Sequence, residues 1–192
     1  MAAHAPGSLG LVQDFVNTLE YERDQDIEQI GTPEALTAWL EERGLLSGGP
    51  AAASDVARTA ELREAIRGLL FANNGGPAAE ADLALLNRVA GESGLRPRFT
   101  PEGRVVLEPA AGGLRGALGR LVAAVSEAMS EGSWHRLKAC ADDGCRWAFY
   151  DSSRNRSGHW CSMESCGNRS KARQFRRRRR SDSMAQGRRR GA

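Results

Sequence analysis

The sequence predicts an α+β chain: a mostly helical N-terminal domain with one small β-hairpin, followed by a small, treble-clef-like module built on four cysteines. Three observations predict it. Apolar residues recur at helical spacing through most of residues 32 to 129, the stretch from Leu95 to Leu107 breaks that spacing with two short β-prone runs, and all four cysteines fall between residues 140 and 166. A chain of 192 residues is long enough for one moderate core and an annex, and too short for two full-sized cores.

The elements follow in order. Leu9 to Leu19 carries apolar positions that fit a short helix, the preferred reading, but also the entry of a buried strand. Thr32-Pro33-Glu34 reads as N-cap, first-turn proline and first-turn acid, opening a helix with Leu36, Trp39 and Leu40 that stops at Gly44. Ser54-Asp55 caps a second, in which Leu62, Ile66, Leu69 and Leu70 form the buried stripe up to Asn73. A third runs through Leu83, Leu86 and Val89 to Gly91. The hairpin turns at Pro101-Glu102-Gly103. Gly112 to Met129 regains helical spacing despite Gly116 and Gly119, whose presence points to close helix packing because each costs about 1 kcal/mol against alanine.

Charge divides the chain between Trp134 and His135. Residues 1 to 134 hold 11 arginines and 19 carboxylates, giving −8; residues 135 to 192 hold 16 basic and 5 acidic residues, giving +11; together they return the net +3. An acidic part and a strongly basic part imply separate jobs, with the basic end drawn to a polyanion. No run of eighteen apolar residues offers a membrane span, and Met1 to Gly10 lacks the pattern of a secretory signal, so a soluble cytoplasmic protein is expected. No glycine-rich phosphate loop or nucleophile elbow is present, and residues 5 to 134 contain no histidine, so a non-enzyme is expected. An enzyme with its site in the N-terminal domain is the weaker alternative.

Cys140, Cys145, Cys161 and Cys166 form two pairs, each with four intervening residues, across fifteen residues. That spacing lets two chain reversals turn four thiolates onto one tetrahedral Zn2+, and a reducing compartment disfavours disulfides. Asp142-Asp143-Gly144 supplies turn chemistry for the first loop, Arg146 to Tyr150 reads as a short strand, and Asn168 to Phe175 reads as a helix that puts Cys166 near its N-terminus. Four cysteines acting as small apolar core residues are the bland alternative. His159 and His135 are substitutes for a sulfur ligand only in principle; His159 reads as a loop residue.

The residues Trp160-Cys161-Ser162-Met163-Glu164-Ser165-Cys166-Gly167-Asn168-Arg169, with the first pair and Phe149 to Arg154, resemble the CGNR zinc finger. Asp14 to Thr18 and Thr32 to Leu46 resemble the opening of the ABATE domain that precedes this finger in its family. The resemblance implies a stress-induced bacterial transcription regulator whose first domain (1 to 134) senses a small-molecule effector and whose finger (135 to 180) binds DNA; the charge run itself makes the tail (181 to 192) read as disordered. By resemblance, Asp14, Asn17, Thr18 and Trp39 are candidate ligand contacts; helix capping and core filling are an equal alternative. The arginine runs Arg176 to Arg180 and Arg188 to Arg190 depart from what the finger requires.

Asn168, Arg169, Lys171, Arg173, Arg176, Arg177, Arg178, Arg179 and Arg180 are the candidate nucleic-acid contacts, the first two for base edges and the rest for phosphates. Asn168 fits equally a hydrogen bond inside the metal loop. Trp147, Phe149 and Trp160 read as the finger's small core. A lone finger binds weakly, so a homodimer or a further partner is expected. The other reading of the finger is an RNA- or protein-docking module.

Overall fold

A computed structural model describes residues 3–21, 25–46, 49–173 and 175–176. Its first helix, α1 (Ser8–Val16), ends one turn earlier than its apolar pattern, because Leu19 enters a two-residue strand, β1 (Leu19–Glu20), paired antiparallel with β2 (Ile27–Glu28). The remaining helices are α2 (Pro33–Glu42), α3 (Ala53–Ala72), α4 (Glu80–Ser93) and α5 (Gly113–Glu131). Two further antiparallel pairs complete the fold: β3 (Leu95–Phe99) with β4 (Val105–Pro109), and β5 (Leu137–Ala139) with β6 (Ala148–Tyr150).

Local chemistry sets these boundaries. Thr32 Oγ1 accepts the Ala35 N–H at 3.2 Å, and Pro33 occupies the first helical position of α2. Helix α3 starts before the expected Ser54-Asp55 cap: Ala52 is its N-cap, and Asp55 acts from the third position, its carboxylate accepting the Ala52 N–H at 2.9 Å. Helix α4 passes Gly91 and stops at Gly94, whose φ of 62° is the left-handed cap. Gly119 explains itself, since a Cβ there would lie 2.5 Å from the Ser93 Cβ, at the closest approach of α5 to the end of α4.

Helices α1, α3 and α5 enclose the core around Val12, Phe15, Leu62, Ile66, Leu121 and Val125. Leu137, Ala139 and Ala148 belong to the same cluster, so β5 and β6 complete the hydrophobic interior of the helical part. Trp134, beside the charge divide, is buried there too. No helix among the described residues is long and apolar enough to cross a membrane.

Two buried arginines on α3 escape any periodicity argument. Arg63 donates to both carboxylate oxygens of Glu28 at 2.8 and 2.6 Å and to Thr18 Oγ1 at 3.0 Å. Arg67 donates to the carbonyls of Val16 and Leu19, to Glu64, and to the Arg146 carbonyl at 2.9 Å. Burial opposes ionisation of Glu28, but hydrogen bonds from Arg63 and the Ile30 N–H outweigh it and hold the carboxyl below its ordinary 4.5. A carboxylate with a depressed folded pKa stabilises fully above its unfolded value and loses that contribution as pH falls through the folded value. Glu28→Gln should therefore lower the melting temperature at pH 7, with the gap to wild type closing as pH drops below 4.5. Removing one partner of a buried pair costs about 3–5 kcal/mol; the Glu28 side chain is 33% exposed, which places the loss at or under the lower end. A gap that widens in acid would contradict the assignment.

Candidate metal centre

The first metal loop leaves β5 at Cys140 and returns at Cys145. Asp142 builds the reversal: its carbonyl accepts the N–H groups of Cys145 at 2.8 Å and Arg146 at 3.1 Å, and its Oδ1 accepts the Gly144 N–H at 3.3 Å. Arg146 then adopts a φ of 52°, so the strand expected from Arg146 begins only at Ala148. The second loop passes Cys161 into Ser162, whose side chain caps a π-helical turn, Met163–Gly167, by accepting the Ser165 N–H. Cys166 sits inside that turn, and the chain continues as helix α6 over residues 168–173 and 175–176. Gly167 leaves room for the half-exposed Met163 side chain, whose Sδ would lie 2.6 Å from a Cβ there and would have to swing aside for a larger residue.

These loops bring all four sulfurs within 4.8 Å of one another. Cys145 Sγ lies 3.6 Å from Cys161 Sγ, which lies 3.7 Å from Cys166 Sγ. A tetrahedral zinc with bonds of about 2.3 Å has edges of about 3.8 Å between sulfurs, so the cage fits one Zn2+ held by four thiolates. Hydrogen bonds from Cys145 and Cys161 pull the Cys140 thiol down to about 2, and the same contact with Cys140 pushes Cys145 up to about 12. Cys161 is pushed upward for the same reason. Four negative sulfurs this close repel one another, and a divalent cation is what lets them all ionise. His159 is no ligand; it contributes its carbonyl to the Ala141 N–H at 2.8 Å.

The cage has its own supports. Phe149 is buried against Cys140 and Cys166, and Trp147 and Trp160 pack around them as the finger's small core. Arg169 donates to Asp142 Oδ2 at 2.9 Å and to the Cys166 sulfur at 2.9 Å, and Arg173 donates to Asp142 Oδ1 at 2.8 Å. Burial works to raise the Asp142 pKa, yet these two guanidiniums win and hold it below its ordinary 3.8. One buried carboxylate thus ties the first metal loop to α6. A second buried pair, Lys138 with Asp151 at 2.9 Å, fixes the start of the connection between the loops.

The structure places the predicted site residues as follows. Asn168 donates to the Glu164 carbonyl at 2.9 Å, the hydrogen bond within the metal loop. Arg169 and Arg173 hold Asp142, whereas Lys171 and Arg176 are exposed on α6. Arg177 to Arg180 and the tail 181 to 192 lie outside the described residues. Among the candidate ligand contacts, Asn17 clamps β6 through the Ala148 N–H at 2.8 Å and carbonyl at 3.0 Å. Thr18 donates to the Phe15 carbonyl and accepts from Arg63, Trp39 packs on Phe15 with Arg43 over its ring, and Asp14 pairs with His4 at the surface. Asp142, Lys138, Asp151 and Arg67 were not singled out from sequence as supports of the site. Only Asp142 carried a signal, as a turn former.

The helical domain reaches the finger through polar side chains as well as through the core. Asn73 donates to the carbonyls of Trp134 and Leu137, Asn74 to that of Ala139, and Gln13 to that of Ala148. An open cleft of about 260 Å³ lies where the two parts meet, bordered by Tyr21, Cys145, Cys161 and Arg169.

Comparison with known families matches this division. Residues 136–179 match the CGNR zinc finger, and residues 9–132 match the ABATE model, whose description is "Putative stress-induced transcription regulator". No curated protein matches the chain. The ABATE match spans more than half of the sequence, and the four-sulfur cage stands where the finger requires it, so the chain belongs to the ABATE family and carries a CGNR zinc finger that binds one structural zinc ion.

Proposed function

We propose that this protein is a zinc-dependent, DNA-binding transcription regulator of the cytoplasm, in which the helical domain senses a small-molecule effector or stress signal. The observation that carries this reading is the helix α6. Zinc at Cys166 and the Asp142 clamp fix its start; Lys171 and Arg176 on it are exposed and have no ion-pair or hydrogen-bond partner among the described residues. The helix leads directly into the arginine run, a cation density suited to duplex phosphates. The polar contacts from α1 and α3 to β5 and β6 support coupling: a ligand that shifts either helix shifts the finger as well.

The reading is non-enzymatic, because four sulfur ligands close the zinc sphere and leave no position for water or substrate. One finger offers a small contact, so a homodimer is the expected binding unit. The test is a genome-wide DNA pull-down with wild type and Cys166→Ser. Enrichment at defined loci that vanishes in the variant is expected; uniform recovery of the genome by both proteins would defeat the regulator reading.

A further inference from the structure

The finger's cations divide into engaged and free. Among the described residues from 136 to 176, Arg136 donates to the carbonyls of Asp151 and Ser153, Lys138 pairs with Asp151, and Arg146 lies over the Tyr21 and Phe71 rings. Arg169 and Arg173 hold Asp142. The guanidiniums with neither an ion-pair or hydrogen-bond partner nor an aromatic ring against them among these residues, besides Arg176 on α6, are those of Arg154 and Arg156, both exposed in the connection between the metal loops.

That connection, residues 152 to 158, contains no apolar side chain, yet its backbone is held at many points. The buried Asp151 carboxylate accepts the N–H groups of Ser153 at 3.0 Å and Gly158 at 2.8 Å. Lys138, equally buried, donates to the carbonyls of Arg156 at 2.6 Å and Gly158 at 3.0 Å. Gly158 presses on the Asp151 carboxylate so closely that a Cβ would stand 3.0 Å from its carbon. Arg156 takes a left-handed φ of 51°, a conformation that costs a side-chain-bearing residue energy. The pair steadies the path between the metal loops, but the exposed tip of the loop has no apolar contact to gain from such order, and a buried ion pair is an expensive way to supply it. What the order does is hold Arg154, Asn155 and Arg156 outward at a turn, with the entropy of positioning them already removed before a partner arrives. The loop and α6 are fastened to the same metal loop, one through the Ala141 N–H to the His159 carbonyl and the other through Asp142.

From this juxtaposition we infer that the loop 152 to 158 is a second nucleic-acid contact, in which Arg154 and Arg156 bind phosphates of duplex DNA and Asn155 faces the groove between them. Lys138 and Asp151 are its positioning residues. The inference rests on the DNA-binding reading above and adds to it an element outside α6 and the arginine tail.

The experiment measures binding of the full-length, zinc-loaded protein to a labelled duplex by fluorescence anisotropy across a salt series. Each phosphate contact contributes about 0.9 to the slope of log affinity against log salt, so the double variant Arg154→Gln with Arg156→Gln should flatten the slope by about 1.8 and weaken binding by about ten-fold per arginine near 0.1 M salt. Arg96→Gln with Arg104→Gln, which removes the same charge from the β3–β4 hairpin, should leave the slope unchanged. Zinc content and melting temperature of the loop variant should equal those of wild type. Lys138→Met, which frees the loop while keeping both arginines, should weaken binding and leave the high-salt slope closer to wild type. Wild-type binding with an unaltered slope in the loop variant overturns the loop assignment alone. A slope lost on structured RNA and kept on duplex DNA also overturns it, and wild-type failure to bind any duplex overturns both this inference and the reading on which it rests.

Discussion

Cys140→Ser should yield a protein that holds no stoichiometric zinc and loses the ordered structure of both metal loops and α6, while β6 stays anchored to the helical interior through Ala148. The region's small core consists of Cys140, Phe149 and Cys166, with Trp147 and Trp160 against them, too little apolar surface to fix its shape alone. A structural zinc supplies about 10 kcal/mol or more of folding free energy in such segments. With three sulfurs left, Cys145, Cys161 and Cys166 have neither the fourth ligand nor the cation that offsets their repulsion. Metal analysis by mass spectrometry and backbone hydrogen exchange would check this. Exchange should rise through both metal loops and α6, and fall off in α3 and α5, whose interior is built from Leu62, Ile66, Leu121 and Val125. A variant that keeps one zinc per chain, or one that stays protected without it, would refute the centre as drawn.

The second large effect belongs to Arg67, which lies far outside the finger in sequence. Its guanidinium is buried and satisfies the carbonyls of Val16, Leu19 and Arg146 as well as Glu64. Arg67→Met keeps much of the volume but strips the three acceptors and leaves Glu64 with less charge opposite it. A loss of about 3–5 kcal/mol is expected from urea unfolding of the zinc-saturated protein. Because the Arg146 carbonyl follows the Cys145 ligand directly, Arg67→Met should also speed zinc transfer to a chromogenic chelator. Arg63→Met, which removes the bonds to Glu28 and Thr18 and touches no metal loop, should destabilise comparably without that acceleration. Equal transfer rates in the two variants would show that Arg67 steadies the helices only.

Much of this was readable in the residues. The cysteine spacing announced the cage, Thr32-Pro33 announced the start of α2, and Pro101-Glu102-Gly103 announced the hairpin, because each depends on chemistry confined to a few neighbouring positions. The aromatic trio of the finger was legible for the same reason. The buried arginines were not. Helical periodicity assigns charged residues to the outside, and what brings Arg63 and Arg67 inside is a set of carbonyls and carboxylates from α1, β1, β2 and the first metal loop. Arg169 and Arg173 illustrate the limit most sharply. An arginine on a basic helix looks the same in sequence whether it awaits a phosphate or holds a carboxylate 27 or 31 positions back, as these hold Asp142. Asn17 was likewise visible as a notable polar residue, while its partner Ala148, 131 positions on, was not.

The strand pair β5–β6 lies within the finger match, which begins at residue 136, yet Leu137, Ala139 and Ala148 are inserted into the helical interior. Anyone grafting this finger onto a different protein, or exchanging it between relatives, would cut through a shared hydrophobic joint and not through a tether. The donor piece would bring three apolar side chains with nowhere to go, and the recipient would need equivalents of Asn17, Arg67, Asn73 and Asn74 to meet its backbone. Chimaeras made at residue 135 should therefore precipitate unless those four travel with the graft, which makes the pair of family segments one heritable unit.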